Sequence, residues 1–249
     1  MPNSPPSHSG RGAFGFVYES ALKHHRTQQS PRRPPPPPLS PASSASPDDG
    51  SGPNSPPRNV AVKMLQPIDP GANARESTLA AYRAGKSKWE RDPLQYACKA
   101  YCTARQELNI LIHLRHPHIV PLVGICTNPL SIVLELAPMG ALDQRLKHYR
   151  RSGDKLTAGA VQLVVLQIGR ALEYLHQHHI IYRDLKSENV LVWRMPEPFT
   201  KCEGDSAVHV KLADYGISRP TLPTGAKGFG GTEGFMAPEI VRWVDKKSI

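Results

Sequence analysis

A proline-rich stretch constrains the fold of this chain more than any other sequence feature. Eleven of the 26 prolines lie between Pro31 and Pro57, and positions 34–38 are an unbroken proline run. Proline fixes φ and has no backbone N–H, so such a stretch can neither continue a helix nor pair inside a sheet. With the Ser, Asp and Gly around it, segment 23–58 is predicted to be a disordered, polyproline-like insertion. The core must form from the segments on either side.

Composition narrows the class of protein further. Apolar residues make up 39% of the 249 residues, which is enough for one or two compact domains. No apolar run approaches the roughly 20 residues that a membrane span needs, and the N-terminus lacks the basic-then-apolar layout of a signal peptide. The chain has only four cysteines, which does not indicate a disulfide scaffold. We therefore expect a cytoplasmic protein without a membrane span.

The chain is basic, with 31 Lys and Arg against 21 Asp and Glu and a net charge of +10. A basic chain invites comparison with nucleic-acid-binding proteins. Here the basic residues are scattered, and no strand shows the interleaved aromatic residues of an RNA-binding sheet. We expect no nucleic-acid partner.

Hydrophobic periodicity predicts two unlike halves. Apolar residues recur with helical spacing over 104–114 and over 161–175. Strands are predicted at 14–22, 60–65, 119–124, 132–136, 190–193 and 208–212. Two further polar segments, 67–95 with weak helical character and the short 194–207, are predicted to be insertions on the same scaffold.

A glycine-rich segment opens the first predicted strand pair. Gly10, Gly12 and Gly15 fit the pattern G-x-G-x-x-G-x-V, in which glycines let the backbone approach phosphate groups without a clashing side chain. When the pattern is taken alone, a glycine-rich turn between strands is its commoner explanation.

A lysine and a glutamate strengthen the functional interpretation. Lys63 lies inside an apolar strand, where a buried ammonium group is costly unless an anion meets it. Glu107 projects from the apolar face of the 104–114 helix, and Lys63 is its natural partner. An edge-strand lysine and a surface glutamate are the simpler alternatives for each residue on its own.

Three later segments complete a recognisable set. Residues 182–189 read Tyr-Arg-Asp-Leu-Lys-Ser-Glu-Asn, 214–216 read Asp-Tyr-Gly and 237–239 read Ala-Pro-Glu. Together with the earlier motifs they follow the order of the phosphoryl-transfer parts of protein kinases. The chain therefore resembles the protein kinase family, with a partial kinase domain at 9–249. The resemblance implies an α+β, two-lobed fold with a strand-rich N-lobe and a truncated helical C-lobe.

The resemblance also assigns roles to individual residues. It implies ATP contacts at Gly10, Gly12, Gly15, Val17, Ala61, Lys63, Leu134, Glu135, Ala137 and Leu191. It implies catalytic roles for Asp184, Lys186, Lys63 and Glu107, and Mg²⁺ ligation by Asn189 and Asp214. Asp184 is expected to accept the proton of the substrate hydroxyl, and Lys186 to steady the transferred phosphoryl group.

Finer features suggest a subgroup and partners. The phrase at 180–193 and the Asp-Tyr-Gly resemble the leucine-rich-repeat kinases of the Roco group. Lys186 and Thr232 resemble serine/threonine kinases, which implies a protein Ser/Thr substrate, and the subgroup suggests a small GTPase. The sequence Arg-Arg-Pro-Pro-Pro-Pro-Pro at 32–38 is also a candidate ligand for SH3 or WW domains.

Two tyrosines depart from the family pattern. Tyr182 replaces the usual histidine and Tyr215 the usual phenylalanine, so two phenolic hydroxyls enter an apolar column and must find hydrogen-bond partners. A switch role and a tolerated substitution both remain open. If the partner of Tyr215 exists only in an inactive arrangement, Tyr215→Phe is expected to raise activity.

Two other motifs offer alternatives to the kinase interpretation. Residues 80–87 match a relaxed phosphate-loop pattern ending in Gly-Lys-Ser, but no apolar strand precedes them. Cys98 and Cys102 with His113 and His116 resemble a zinc site faintly, although both spacings miss the usual ones. We expect neither a second nucleotide site nor a zinc ion.

Ten residues follow Glu239, fewer than the larger lobe of a kinase needs. The domain is therefore expected to be incomplete, and an alternative function is a non-catalytic, proline-rich scaffold derived from a kinase domain.

Overall fold

The computed structural model describes residues 9–12, 15–22, 58–69, 71, 76–198, 208–221, 225 and 230–247. Most of the proline-rich insertion and residues 199–207 of the third polar segment lie outside the described residues. The strands are β1 (Ser9–Gly12), β2 (Gly15–Leu22), β3 (Arg58–Met64), β4 (Leu122–Thr127), β5 (Leu130–Glu135), β6 (Ile180–Ile181), β7 (Val190–Arg194), β8 (His209–Leu212) and β9 (Arg219–Pro220). The helices are α1 (Glu76–Arg91), α2 (Pro93–Leu111), α3 (Leu142–Ser152), α4 (Ala158–Gln177) and α5 (Pro238–Lys247).

The first lobe is a five-stranded antiparallel sheet in the order β1-β2-β3-β5-β4. Helix α2 supplies the other layer and buries a stripe at helical spacing that ends in Ile110 and Leu111. Its start is fixed by Asp92, whose carboxylate accepts the backbone N–H of Gln95, and by Pro93 in the first turn. The predicted strand-rich N-lobe is confirmed.

The second lobe is built on α3, α4 and two small sheets, β6–β9 and β7–β8. Helix α4 packs on β8, and the amide of Gln167 links the two. Its Nε2 donates to the carbonyl of Val208 at 2.9 Å and its Oε1 accepts the N–H of Val210 at 2.8 Å. The side-chain amide of Gln167 therefore makes the pair of hydrogen bonds that a neighbouring strand would make with the backbone of residues 208 and 210.

The region between the lobes differs from the predicted strand at 119–124. Strand β4 begins only at Leu122, because Pro121 has no N–H to donate. Ile119 and Val120 are buried and join β8 instead, since the N–H of Val120 donates to the carbonyl of Leu212 at 2.9 Å. The segment between α2 and β4 thus anchors the first lobe to the second.

No helix among the described residues has the length and apolar character to cross a bilayer.

Candidate active site

Lys63 lies between two carboxylates at the junction of the lobes. Strand β3 brings its Nζ to 2.6 Å from Oε2 of Glu107 on α2 and to 3.1 Å from Oδ1 of Asp214, which follows β8. Only 7% of the Lys63 side chain and none of the Glu107 side chain is exposed. The structure therefore brings together three charged residues that are up to 151 positions apart in the sequence.

Burial and charge act in opposite directions on this group. Burial by itself lowers the pKa of Lys63, but the carboxylates of Glu107 and Asp214 outweigh it and the net pKa is raised. Burial raises the pKa of Glu107, and the charge of Lys63 and the backbone N–H of Tyr215 oppose that rise. Lys63 consequently remains an ammonium group at neutral pH, ready to contact an anion.

The Asp-Tyr-Gly segment adopts a strained backbone. Asp214 has φ of 60°, a left-handed value that non-glycine residues rarely adopt, and Arg183 beside Asp184 has φ of 74°. In this conformation the Asp214 carboxylate lies 3.1 Å from Nζ of Lys63. Strain at both positions is typical of residues that are placed for function rather than for stability.

Asp184 is the centre of a second polar network. Its Oδ2 accepts hydrogen bonds from Nζ of Lys186 and from Nδ2 of Asn189, each at 2.8 Å. Its Oδ1 accepts from the hydroxyl of Thr232 at 2.6 Å, and that hydroxyl in turn accepts from Lys186 at 2.7 Å. The carboxylate is 4% exposed and is oriented from three sides.

Both tyrosine hydroxyls find partners, as the sequence requires. The hydroxyl of Tyr182 donates to the carbonyl of Ala213, and that of Tyr215 donates to the carbonyl of Leu212 at 3.2 Å. The two rings pack edge to face with centroids 5.3 Å apart. Burial raises the pKa of both phenols, so they remain neutral donors. The partner of Tyr215 is thus present while Lys63 and Glu107 are joined.

A cleft of about 360 Å³ separates the lobes next to these networks. Its apolar walls come from both lobes, and Lys63, Asn189 and Asp214 supply polar groups at one end. A largely apolar pocket with a few convergent polar groups fits a heteroaromatic base joined to a charged tail. The predicted ATP contacts that line the cleft are Val17, Ala61, Lys63, Leu134, Glu135, Ala137 and Leu191.

The predicted glycines lie on the neighbouring hairpin. Gly12 pairs with Gly15 and Gly10 pairs with Val17, which itself lines the cleft. The turn at 13–14 lies outside the described residues. The contact of these glycines with a nucleotide stays a prediction.

The polar end of the cleft also suits a hard cation. Among the described residues no group of three or more His, Cys, Asp or Glu side chains could hold a metal ion. The side-chain NH₂ of Asn189 donates to Asp184. The side-chain carbonyl oxygen of Asn189 and the Asp214 carboxylate are therefore the oxygen atoms that would ligate a metal ion. Mg²⁺ is commonly held by one or two carboxylates together with substrate phosphates, so this small donor set fits it.

The structure shows where the two competing motifs lie. The phosphate-loop match at 80–87 lies inside helix α1, where backbone N–H groups are used in helical hydrogen bonds and cannot converge on a phosphate. Cys98 and Cys102 are exposed on α2, and no metal cluster occurs in the described part of the chain. The phosphate-loop match is therefore a coincidence of sequence, and the expected absence of zinc stays a prediction.

Sequence reasoning missed the contacts that Thr232 and Glu135 make. The sequence indicates Thr232 only as a marker of the serine/threonine class, yet its hydroxyl bridges Asp184 and Lys186. Lys211 and Trp193 were given no role, although both contact Glu135. The position of Thr232 after Gly231 was a usable signal, whereas nothing in the sequence pairs Glu135 with residues 58 and 76 positions away.

Comparison with known proteins defines the class. Residues 86–248 match the family model described as protein kinase domain. The chain therefore belongs to the protein kinase family. It is 52% identical over 235 residues, 94% of the chain, to leucine-rich repeat serine/threonine-protein kinase 1 of Caenorhabditis elegans. The mouse protein of the same name is 41% identical over 146 residues, 58% of the chain.

A more distant relative belongs to the same class. Human serine/threonine-protein kinase 10 is 35% identical over 173 residues, which is 68% of the chain and 16% of that protein. The chain spans only 8% and 7% of the worm and mouse relatives. The predicted likeness to leucine-rich-repeat kinases is confirmed for the matched region.

Proposed function

We propose that this chain carries the phosphotransfer site of a serine/threonine protein kinase. The observation that carries the proposal is that one cleft is lined by the buried ammonium group of Lys63, by Asp214, which contacts it, and by Asn189. The amide of Asn189 in turn holds the oriented carboxylate of Asp184. The named relatives that act as serine/threonine kinases, and the bridging Thr232, support this class of acceptor.

The residues divide the reaction between them. Lys63, held by Glu107, neutralises phosphate charge, while Asp184 accepts the proton of a protein Ser or Thr hydroxyl as that oxygen bonds to the γ-phosphorus of ATP. The bond from the γ-phosphorus to the β,γ-bridging oxygen breaks and ADP leaves. Lys186 lies beside Asp184 and offers positive charge where the phosphoryl group passes. When bound at Asn189 and Asp214, Mg²⁺ supplies further charge neutralisation to the phosphates.

The partners follow from the same proposal. The acceptor is a protein, and a small GTPase remains the suggested class. Residues 23–57 of the proline-rich insertion lie outside the described residues, so its binding to SH3 or WW domains is proposed from the sequence. The cytoplasmic location is likewise proposed from the sequence.

A phosphotransfer assay with an Asp184→Asn variant tests the proposal. The variant keeps the shape of the side chain but cannot accept the proton, so we expect transfer to a protein acceptor to fall by at least about 100-fold while Mg·ATP still binds. Asp154→Asn is the matched control, because Asp154 lies between α3 and α4 and outside the cleft lining. Equal transfer by Asp184→Asn and Asp154→Asn would overturn the proposal. A chain that binds no nucleotide would favour the non-catalytic scaffold.

A further inference from the structure

The side chain of Glu135, the last residue of β5, contacts the other lobe through both of its oxygens. Oε1 accepts a hydrogen bond from Nε1 of Trp193 on β7 at 3.0 Å, and Oε2 accepts one from Nζ of Lys211 on β8 at 2.8 Å. The ammonium group of Lys211 also lies 4.2 Å from the centroid of the Trp193 ring. We call Glu135, Trp193 and Lys211 the hinge triad. Each of the three residues contacts the other two.

The hinge triad is largely shielded from water. Lys211 is 8% exposed, and 19% of the Glu135 side chain is exposed. Ion pairs and cation–π contacts in such surroundings are screened less than surface pairs. Removing one partner leaves the other charge desolvated, so the triad resists separation of its members.

The triad holds one side of the hinge, and backbone hydrogen bonds hold the other. After the hinge residues 136–138, the N–H of Met139 donates to the carbonyl of Val192 at 3.1 Å. The N–H of Val192 donates to the carbonyl of Gly140 at 2.8 Å. Both anchors include a residue of β7, so they restrain the two ends of segment 136–138 relative to β7.

The same small sheet carries a wall of the cleft. Leu191 of β7 lines the cleft and pairs directly with Lys211 of β8. Trp193 lies two residues further along β7, where the pairing shifts between Val192 and Arg194. Such an irregularity re-aims a side chain, here towards Glu135. A shift of the triad would therefore move Leu191 relative to the hinge backbone.

We propose that the hinge triad sets nucleotide affinity by fixing the spacing between the hinge backbone and Leu191. The inference rests on the proposed function, since it assumes that the base of a nucleotide lies between these two surfaces. Trp193, Lys211 and the Glu135 carboxylate are positioning groups that act through the hinge. Disrupting the triad raises the Kd for Mg·ADP and the KM for ATP and changes kcat little.

Two measurements on the 249-residue chain test this inference. Calorimetric titration gives the Kd for Mg·ADP in Lys211→Met, Trp193→Phe and the double variant Glu135→Gln/Lys211→Met. We expect Lys211→Met to raise the Kd about tenfold, a change of about 1.4 kcal/mol, and Trp193→Phe to raise it less. The double variant recovers part of the affinity because residue 135, which loses its ion pair with Lys211 in the single variant, is then neutral. Amide hydrogen exchange of 136–140 without nucleotide is expected to be faster in Lys211→Met.

Tyr149→Phe is the matched control. Its hydroxyl donates to the carbonyl of Pro196, just beyond β7, so its loss weakens the same lobe without touching the hinge. Wild-type Kd in Lys211→Met and Trp193→Phe, with lowered melting temperatures as in Tyr149→Phe, would overturn the inference and leave a merely structural role. Unchanged hinge exchange would also overturn it. A wild-type chain that binds no nucleotide overturns the proposed function and the triad's role in affinity, and exchange then reports only whether the triad restrains the hinge.

Discussion

At the scale of single residues, Lys63 has two separable roles. It offers charge to phosphates, and it is the hydrogen-bonding counter-ion of Glu107, whose side chain is fully buried. Lys63→Met is therefore expected to lower the rate of phosphotransfer by orders of magnitude and also to lower the free energy of unfolding by about 3 to 5 kcal/mol, because a buried carboxylate loses its partner. Steady-state phosphorylation and urea unfolding measure the two effects.

A second substitution separates these two roles. Lys63→Met/Glu107→Gln removes the unpaired charge, so it is expected to recover much of the stability and none of the activity. Near-normal turnover in Lys63→Met, or activity regained in the double variant, would contradict the assignment of Lys63.

The two buried tyrosines allow a matched comparison. The carbonyl of Leu212 accepts the Tyr215 hydroxyl and also the N–H of Val120, so Tyr215→Phe leaves it with a donor. Among the described residues the Tyr182 hydroxyl is the donor to the Ala213 carbonyl. Tyr182→Phe is therefore expected to lower the free energy of unfolding by about 1 to 3 kcal/mol and Tyr215→Phe by less. Denaturant titration of both variants decides this, and equal losses would contradict it.

The Tyr215 contact also changes an expectation from the sequence. Tyr215→Phe is expected to raise activity only if the hydroxyl has its partner solely in an inactive arrangement. The Leu212 carbonyl accepts this hydroxyl while Lys63 and Glu107 are joined, so this hydrogen bond does not meet that condition. The sequence required a partner for each hydroxyl, because a buried phenol without one is costly, but it could not say which carbonyl that partner is.

At the scale of elements, the segment between α2 and β4 carries a pH-sensitive contact with β8. Nδ1 of His118 lies 3.0 Å from the carbonyl oxygen of Val210. Burial lowers the pKa of His118, the Val210 carbonyl opposes this, and His209, His116 and Arg170 lower it further.

The sign of the pH effect follows from that lowered pKa. The unfolded chain takes up the His118 proton near its ordinary pKa, about 6.5, whereas the folded chain does so only at lower pH. His118 therefore makes stability fall as pH drops below that ordinary value. Melting temperatures at pH 7.5 and 5.5 should differ less in His118→Asn than in the wild type. The control is His113→Asn, because His113 belongs to no such contact among the described residues. An equal pH difference in His118→Asn and wild type would contradict the prediction.

Strong hydrophobic periodicity predicted the helices correctly, but it did not predict which of their residues are buried, because that depends on packing against other elements. The helix over 161–175 was found as α4, but its most buried residues are Ala160, Val164, Gln167, Ala171 and Leu175. Val161, expected inside, is 45% exposed. Periodicity favours large apolar side chains, whereas close packing on β8 selected alanines and a glutamine whose amide completes the strand edge. The polar 67–95 segment holds α1, which its weak helical pattern indicated.

At the scale of the whole molecule, the proline-rich insertion joins two paired strand ends. Leu22 of β2 pairs with Arg58 of β3, so the ends of the insertion are neighbours in the sheet. Replacing residues 23–57 with a short turn is therefore expected to keep the Kd for Mg·ADP within about threefold, a difference of less than 1 kcal/mol, because the loop-closure free energy depends only weakly on length. Calorimetric titration measures the Kd, and loss of binding would show that the insertion supports the cleft.

The order of motifs was enough to predict both lobes and most of the cleft lining. Each motif lies at a fixed place on a strand, helix or loop of one family of folds, so the family supplied the long-range contacts. The bridge from Thr232 to Asp184 and the hinge triad could not be derived in this way. They depend on side chains of separate elements meeting at specific distances, and neither periodicity nor local spacing encodes such a meeting.

Magnesium-dependent ATP binding decides whether the cleft between the lobes is a nucleotide site. Calorimetric titration of the chain with ATP, with and without Mg²⁺, should show tighter binding with Mg²⁺ in the wild type. In Asp214→Asn, which removes the carboxylate beside Lys63, that dependence on Mg²⁺ should be largely lost. ATP binding that is absent in the wild type, or equally dependent on Mg²⁺ in wild type and Asp214→Asn, would contradict the account.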